Sequence, residues 1–596
     1  MHGGTPNSFN GINTFTESAG ITERTPYLSI YPPPTFGGKL YYNDSVVDWF
    51  RANANYTTWT FNVRPGLKWS DGTNVTSQDI VNTYSKQFAL NATADAQGLR
   101  FEITSVVPLN SSAAEFMLNK SDAHLPERLG GILYTNVMPA SFVAKGAFFN
   151  GFDGIYPADG PFYIDDYSSG NPQAILLRNP YYTPSPKICK FVVDYVESQS
   201  EVSTLVQAGT ADLGVFVPYP DVSNILAHNP SLHLLDEKNT VLFSLLYNVT
   251  KYPYNMTAFR QALAYGINET QLVQQGVVGY GTEAYSAQGG VPPSQSWYSP
   301  NQTTYSYNTT KALQLLKSIG MTKNSNGQLT YPNGTVISLA LWATSDLSAG
   351  ITDQTIIQQN LDALGFNINV VPATLGANLI ADSYSNTNGE NSALVVSGGS
   401  EGCVFGLPFL DALPIYQVCI PEAAPPTWLE PPSAQHEYQS NLTAITGTAD
   451  PTLEYKYLSN IQALNSQYLP EIVLNYADAP VIYSTARWTN WPPHILDGWA
   501  IELNSTALSQ LQPVNASTTS STALNTTSSL VSSSTSSVSS SSSSPASIVT
   551  TTVTATASSA SSQGNTLLYV ATAVVVIVII GAAVAVLRRR RPPHAA

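Results

Sequence analysis

Chemistry in this chain is sparse, and the residues that might perform it are quickly enumerated. Gly398-Gly399-Ser400-Glu401-Gly402 is a literal G-x-S-x-G after the apolar run from Ala393. A nucleophile elbow needs a strand, a sharp turn and then a helix. The next residues are CVFGLPF, in which Gly406 and Pro408 break any helix. His436 and His494 are available as bases, but their surroundings match no hydrolase pattern. A serine hydrolase acting through Ser400 is therefore the weaker alternative. The three cysteines, Cys189, Cys403 and Cys419, form no CxxC pair, so neither a zinc site nor a redox motif is present. Cys403 and Cys419 either bridge a loop in an oxidising compartment or stand as buried free thiols. HExxH, P-loop and dinucleotide-binding motifs are missing as well, and the expectation is a chain with no catalytic residue, no cofactor and no metal.

Composition narrows the classes further. Charged residues make up 11% of the 596 and hydrophobic ones 43%, with Tyr alone contributing 33. The formal net charge is −15. No basic stripe exists to neutralise phosphates, which excludes nucleic acid as a partner. A surface poor in carboxylates and amines loses few ion pairs as pH falls, a property suited to an acidic exterior.

The tail sets the compartment. Residues Thr566 to Leu587, TLLYVATAVVVIVIIGAAVAVL, carry no charge. As a helix they reach roughly 33 Å, enough to span a bilayer's hydrocarbon core. Arg588, Arg589, Arg590 and Arg591 come next, so this end is expected inside the cell and everything before it outside. Residues Asn515 to Ser562 are almost wholly Ser, Thr, Ala and Val. Such a stretch has no core to order it and reads as a disordered stalk. About sixteen N-x-[S/T] sites, among them Asn43, Asn55, Asn74, Asn248, Asn268 and Asn504, agree with a glycosylated outer face. The opening MHGGTPNSFNG lacks an apolar signal region, and the expectation is that a signal sequence and a first strand precede it.

Helices alternate with short apolar strands across the remainder, an α/β pattern. A helix is predicted near Thr76, with Asp79 closing a capping box and Ile80, Val81, Tyr84 and Phe88 on one face. Another runs from about Thr309 to Ile319 and stops at Gly320. A third covers Thr352 to Leu364 and ends at Gly365, and Phe366, Ile368 and Val370 then alternate as a strand. Gly66, Gly72 and Gly160 suit turns, while Arg178 and Arg260 are read as structural, bonding carbonyls or an acid.

Five blocks, in order, resemble one family. They are WTFNVRPGLKWSDGTNVTSQDIVNTY (Trp59 to Tyr84), DGPFYIDDYSSGNPQAILLRNPYY (Asp159 to Tyr182), TLVQAGTADLG (Thr204 to Gly214), LLYNVTKYPYNMTAFRQALAYGINETQLV (Leu245 to Val273), and the helix with KALQLLKSIG ending at Gly320. The set is similar to the extracytoplasmic solute-binding proteins of the peptide/nickel class (bacterial family 5) of ABC importers, in an archaeal form with a C-terminal anchor. The similarity covers about Ser8 to Pro492.

The resemblance implies a two-lobed periplasmic-binding-protein-like α/β fold with an extra subdomain in its N-lobe. Residues 1–246 and 475–503 would form the first lobe, 247–474 the second, 504–563 the stalk, 566–587 the transmembrane helix and 588–596 the cytoplasmic tail. The crossings between lobes are expected near Tyr247 to Tyr254 and Val473 to Tyr483. The resemblance also implies a peptide or oligosaccharide solute enclosed between the lobes, and ABC permease subunits as partners. Trp297, Tyr298 and Trp342 lie where the family places pocket aromatics. Glu401 and Asp411 come after the strand beyond which peptide binders carry an acid for the solute's amine, although neither stands in the family's usual G-W-x-x-D context. A surface adhesin or coat protein would also have a stalk and anchor, but it accounts for none of the five blocks.

Overall fold

The computed structural model describes residues 26–32, 45–89, 99–131, 136–145, 156–166, 173–194, 196, 199–215, 217–247, 249, 251–344, 348–373, 393–397, 431–495 and 505–514. Two compact units divide the chain, Met1–Thr518 and Thr519–Ala596. The second lies outside the described residues, as do most of the stalk, the apolar run 566–587 and its arginines. Among the described residues no helix is long and apolar enough to cross a membrane.

The first sheet is antiparallel, in the order β1 (Val47–Ala52), β2 (Thr58–Val63), β4 (Ala113–Leu118), β3 (Ile103–Pro108). Along β2 the residues Trp59, Phe61 and Val63 point inward and their neighbours outward, the period-2 pattern of a half-buried strand. The Ser77–Ala89 helix covers this sheet. Tyr84 and Phe61 each meet the Phe116 ring edge-on, with centroids 5.3 and 5.2 Å away. The capping box forms as expected, with the Thr76 amide and hydroxyl both donating to Asp79 Oδ2 at 2.8 and 2.9 Å. A separate antiparallel sheet holds β5 (Phe162–Asp166), β6 (Gln173–Arg178) and β7 (Lys190–Asp194). Arg178 closes the turn after β6 by donating to the Pro186 carbonyl at 3.1 Å.

A seven-stranded sheet occupies the centre. Its strands are β8 (Leu213–Val215), β9 (Leu232–Leu246), β10 (Gly281–Glu283), β13 (Ser338–Thr344), β14 (Asn367–Ala373), β15 (Ala393–Ser397) and β16 (Ile472–Ser484). The small hairpin β11 (Thr322–Lys323) and β12 (Leu329–Thr330) stands apart. The sheet order is β10-β16-β9-β15-β13-β14, with β8 joined to β16. The long strands β9 and β16 pair antiparallel along most of their length, with register shifts between Val473 and Asn475 and between Ala477 and Ala479. One end of the pair carries β8, opposite Val481 to Tyr483. The other carries β10 and β15. The strand expected to end one half of the molecule near Tyr247 therefore already takes part in both ends of the sheet.

The Ser348–Leu364 helix connects the parallel strands β13 and β14, beginning upstream of the Thr352 expected. Gly365 takes φ +105°, a backbone angle that closes the helix and that a side chain would strain. The helix expected at Thr309 spans Thr309–Ser318, and Asn308 caps it by accepting from the Lys311 amide. Arg260, in the Thr257–Gly266 helix, is buried and forks onto carbonyls as read from the sequence. Its Nη1 donates to Tyr254 at 2.6 Å, and its Nε and Nη2 donate to Tyr468 at 2.9 and 2.6 Å. Those bonds join the start of that helix to the end of the Pro451–Tyr468 helix, just ahead of β16.

Candidate functional site

One face of the central sheet gathers aromatic and apolar side chains apart from the main core. Leu242 and Leu246 from β9, Val473 and Tyr476 from β16, and Ala284 and Ala287 form its buried part. Tyr298 and Trp342 pack against them, partly buried. Strand register explains the grouping. Tyr476 stands opposite Leu242 and Val473 opposite Ser244, while Trp342 reaches Leu246 through Val395. Residues paired across a ladder share a face.

Polar side chains pin the connection after β10 onto this face. Gln288 brackets Val473, accepting from its amide at 2.8 Å and donating to its carbonyl at 2.6 Å. The Tyr476 hydroxyl donates to the Ala287 carbonyl at 2.6 Å, and the Tyr298 hydroxyl to the Ser286 carbonyl at 3.1 Å. Ser299 is tied from the other side, its amide donating to Gln462 Oε1 at 2.9 Å. Ser244 Oγ and Trp342 Nε1 are both buried and have no hydrogen-bond partner among the described residues. Buried polar atoms ordinarily find one, so these two are exceptions on this face.

Tyr298 and Trp342 pack against the same buried cluster. Trp297 does not join that cluster; its carbonyl accepts from Gln462 Nε2 at 2.8 Å and its side chain is half-buried. Glu401 and Asp411 lie outside the described residues, together with Ser400, Cys403 and Cys419. Sequence reading missed Ser244, Tyr476 and Gln288. Ser244 alone carried a signal, as the single hydroxyl in the apolar run VLFSLL. Among the described residues no group of three or more His, Cys, Asp or Glu is placed to hold a metal ion.

The two long strands meet a second polar group midway. Asp478 lies at the second register shift, and the Asn239 amide and Lys238 Nζ each donate to its carboxylate at 2.8 Å. Asn239 adopts φ 53° and its side chain donates to the Tyr476 carbonyl at 3.1 Å. The Tyr219 hydroxyl donates to the Asp478 carbonyl at 2.9 Å, and the Tyr219 ring stacks on Tyr280. Burial lifts the Asp478 carboxyl above its ordinary value, against the pull of Lys238 and the Asn239 amide.

Residues 45–408 match the family described as bacterial extracellular solute-binding proteins, family 5 Middle. The chain belongs to this family. It is 25% identical over 366 residues to a probable ABC transporter-binding protein of Deinococcus radiodurans, a match covering 54% of this chain and 59% of that relative. The chain thus spans less than two thirds of the length of this relative. Among solved structures it shares the fold of the oligopeptide-binding protein AppA from Bacillus subtilis, determined with a nonapeptide. That similarity has a TM-score of 0.68 at 16% identity and covers 84% of this chain and 96% of the other. An oligopeptide-binding protein of Thermotoga maritima, determined with mannohexaose, matches with a TM-score of 0.70 at 18% identity, covering 85% and 96%. The fold is that of the two-lobed periplasmic binding proteins, with mixed α and β structure.

Proposed function

We propose that this chain is the substrate-binding subunit of an ABC importer. It captures an oligopeptide or an oligosaccharide between two hinged lobes outside the cell and hands it to permease subunits in the same membrane. The observation that carries this reading is the face holding Tyr298, Trp342 and Tyr476. It combines a buried apolar cluster, flanked by the partly buried Tyr298 and Trp342, with the unpaired polar atoms Ser244 Oγ and Trp342 Nε1. Aromatic surface with a few convergent polar groups is the usual make-up of a small-ligand site, and flat rings stack on sugar faces as readily as they pack on a peptide.

In this reading residues 1–246 and 475–503 build the first lobe and 247–474 the second. The crossings between the lobes fall near Tyr247 to Tyr254 and Val473 to Tyr483. Trp297, Glu401 and Asp411 complete the ligand-binding set with Tyr298 and Trp342. Residues 504–563 act as a glycosylated stalk, 566–587 as a single membrane helix of the archaeal type, and 588–596 as the cytoplasmic tail. No reaction is assigned to the chain.

A thermal-shift screen against defined oligopeptides and oligosaccharides tests the proposal. A solute at 100 times its Kd adds about 2.7 kcal/mol of stability. A shift with one class and not the other names the solute. Failure of both classes, with a fluorophosphonate probe labelling wild type but not Ser400→Ala, would replace the transport reading with a hydrolase.

A further inference from the structure

His124 sits where two distant parts of the chain meet. It lies between β4 and the Leu125–Gly131 helix, with 4% of its side chain exposed. Its Nδ1 is 3.0 Å from Glu127 Oε2 on that helix. Its Nε2 is 3.4 Å from Glu454 Oε1, in the first turn of the Pro451–Tyr468 helix. The second contact lacks hydrogen-bond geometry, so charge carries it. Beside it the Ala123 amide donates to the Thr446 carbonyl at 2.6 Å, where the Pro432–Thr446 helix ends.

The turn does not owe its shape to His124. Asp122 Oδ1 accepts from the His124 amide at 2.9 Å, and Trp59 Nε1 donates to the Asp122 carbonyl at 2.9 Å. Arg128 is occupied by Asp122 and by both oxygens of Glu102. The charged groups around the imidazole are therefore Glu127 and Arg128 on its own side, Asp122 before it, and Glu454 with the capping Asp450 on the facing helix. A neutral imidazole brings Glu127 and Glu454 no compensating charge across the contact. An imidazolium pairs with both.

We propose that His124 is a proton-operated clasp, holding the β1–β4 region against the Pro432–Thr446 and Pro451–Tyr468 helices in mildly acidic surroundings and releasing it as pH rises. The clasp rests on the two-lobed reading above, which puts these helices in the second lobe and residues 122–124 in the first. Burial pushes the His124 pKa down, but Glu127, Glu454 and Asp122 outweigh it and lift the group above 6.5. Glu127 and Asp122 stay beside His124 in either state, so closure adds the Glu454 charge; that attraction favours the closed state while the imidazole is protonated and is lost as it deprotonates. Burial also lifts Glu454 above 4.5, against the pull of His124, so protonation of Glu454 bounds the window on the acid side. Solute trapped by closure would leave faster on the alkaline side of that window.

Hydrogen exchange on the full-length protein, without solute, at pH 6.0 and pH 8.5 and normalised to the chemical exchange rate, tests the clasp. The Ala123 amide should exchange about fivefold faster at the higher pH, the scale of roughly 1 kcal/mol. His124→Gln should show the fast rate at both pH values, and Glu454→Gln a smaller step. Amides of Val241 to Leu246 in β9 report whether each variant is folded. A pH-independent wild type, or a His124→Gln variant that keeps the step, would overturn the proposal. If His124→Gln unfolds, a full step in Glu454→Gln overturns it and a reduced one supports it. Because no solute is used, a pH step in a chain that binds neither peptide nor sugar sustains the clasp and rejects the transport reading, and the converse result does the reverse.

Discussion

The Asn239 amide donates to the Asp478 carboxylate at 2.8 Å, fastening β9 to β16 at the point where their ladder changes register. Asp478→Ala removes the acceptor for that amide and for Lys238 Nζ. Leaving a buried donor unpaired costs about 1–3 kcal/mol. Urea unfolding of the variant should show a loss of that size, and an unchanged midpoint would mean that the pair contributes nothing.

Trp342→Ala should weaken capture of whichever solute the screen identifies. Loss of a central aromatic anchor costs about 2 kcal/mol, close to a thirtyfold rise in Kd. Tyr252→Ala, at an exposed position on Tyr331 outside the aromatic face, should bind normally. Calorimetric titration distinguishes the two, and equal affinities for both variants would move the site elsewhere.

Arg128→Met should be among the most damaging single changes. The guanidinium is buried between Asp122 and Glu102, and its removal takes the paired cation from buried Asp122 and leaves Glu102 only Lys120. Breaking such a pair costs about 3–5 kcal/mol. Denaturant unfolding should show this loss, and replacing Asp122, Glu102 and Arg128 together with apolar residues should recover much of it.

Asp159 predicts a pH slope. It is fully buried, accepts from the Leu28 amide at 3.0 Å, and burial pushes its carboxyl up to about 8. The unfolded chain releases this proton near pH 4 while the folded chain keeps it. Folding therefore weakens as pH rises between those values and levels off above about 8. Asp159→Asn cannot titrate, so the part of the Tm–pH slope due to this group should vanish in the variant. Identical slopes would show that the group is ionised in the fold.

On the proposed reading of 566–587 as a membrane anchor, removing residues 566–596 should release a chain that binds solute with unchanged affinity while import in cells falls. A tether holds receptor and permease at about millimolar effective concentration, which only the anchored form enjoys. Solute binding lost on truncation would make the tail part of the fold.

Local signals were legible and long-range ones were not. The Thr76–Asp79 box, the Gly365 stop and the Arg260 fork each depend on residues close in sequence or on a side chain with few alternatives. The path of β9 has no local signal, because Asp236-Glu237-Lys238-Asn239 interrupts its apolar run. Asp478 takes up Lys238 and the Asn239 amide, and His494 Nδ1 and the Ile495 amide meet Glu237, so the strand continues through it. At the candidate site, Trp342 and Tyr298 were singled out by their resemblance to pocket aromatics. Tyr476 was not, since its place beside Leu242 depends on a register shift that no local pattern announces. Glu454 likewise gives no sign of facing His124, because the two meet only after both helices have docked.

The pairing of β9 with β16 also sets an order of events during synthesis. Leu245 finds its partner in Ile472 and Leu232 in Ser484, so the middle of the central sheet cannot form until residue 484 has been made. Closing so long a loop is entropically costly and slow. The two antiparallel sheets of the first 194 residues close locally, so the central sheet is the part of the molecule that waits longest for its partner strand.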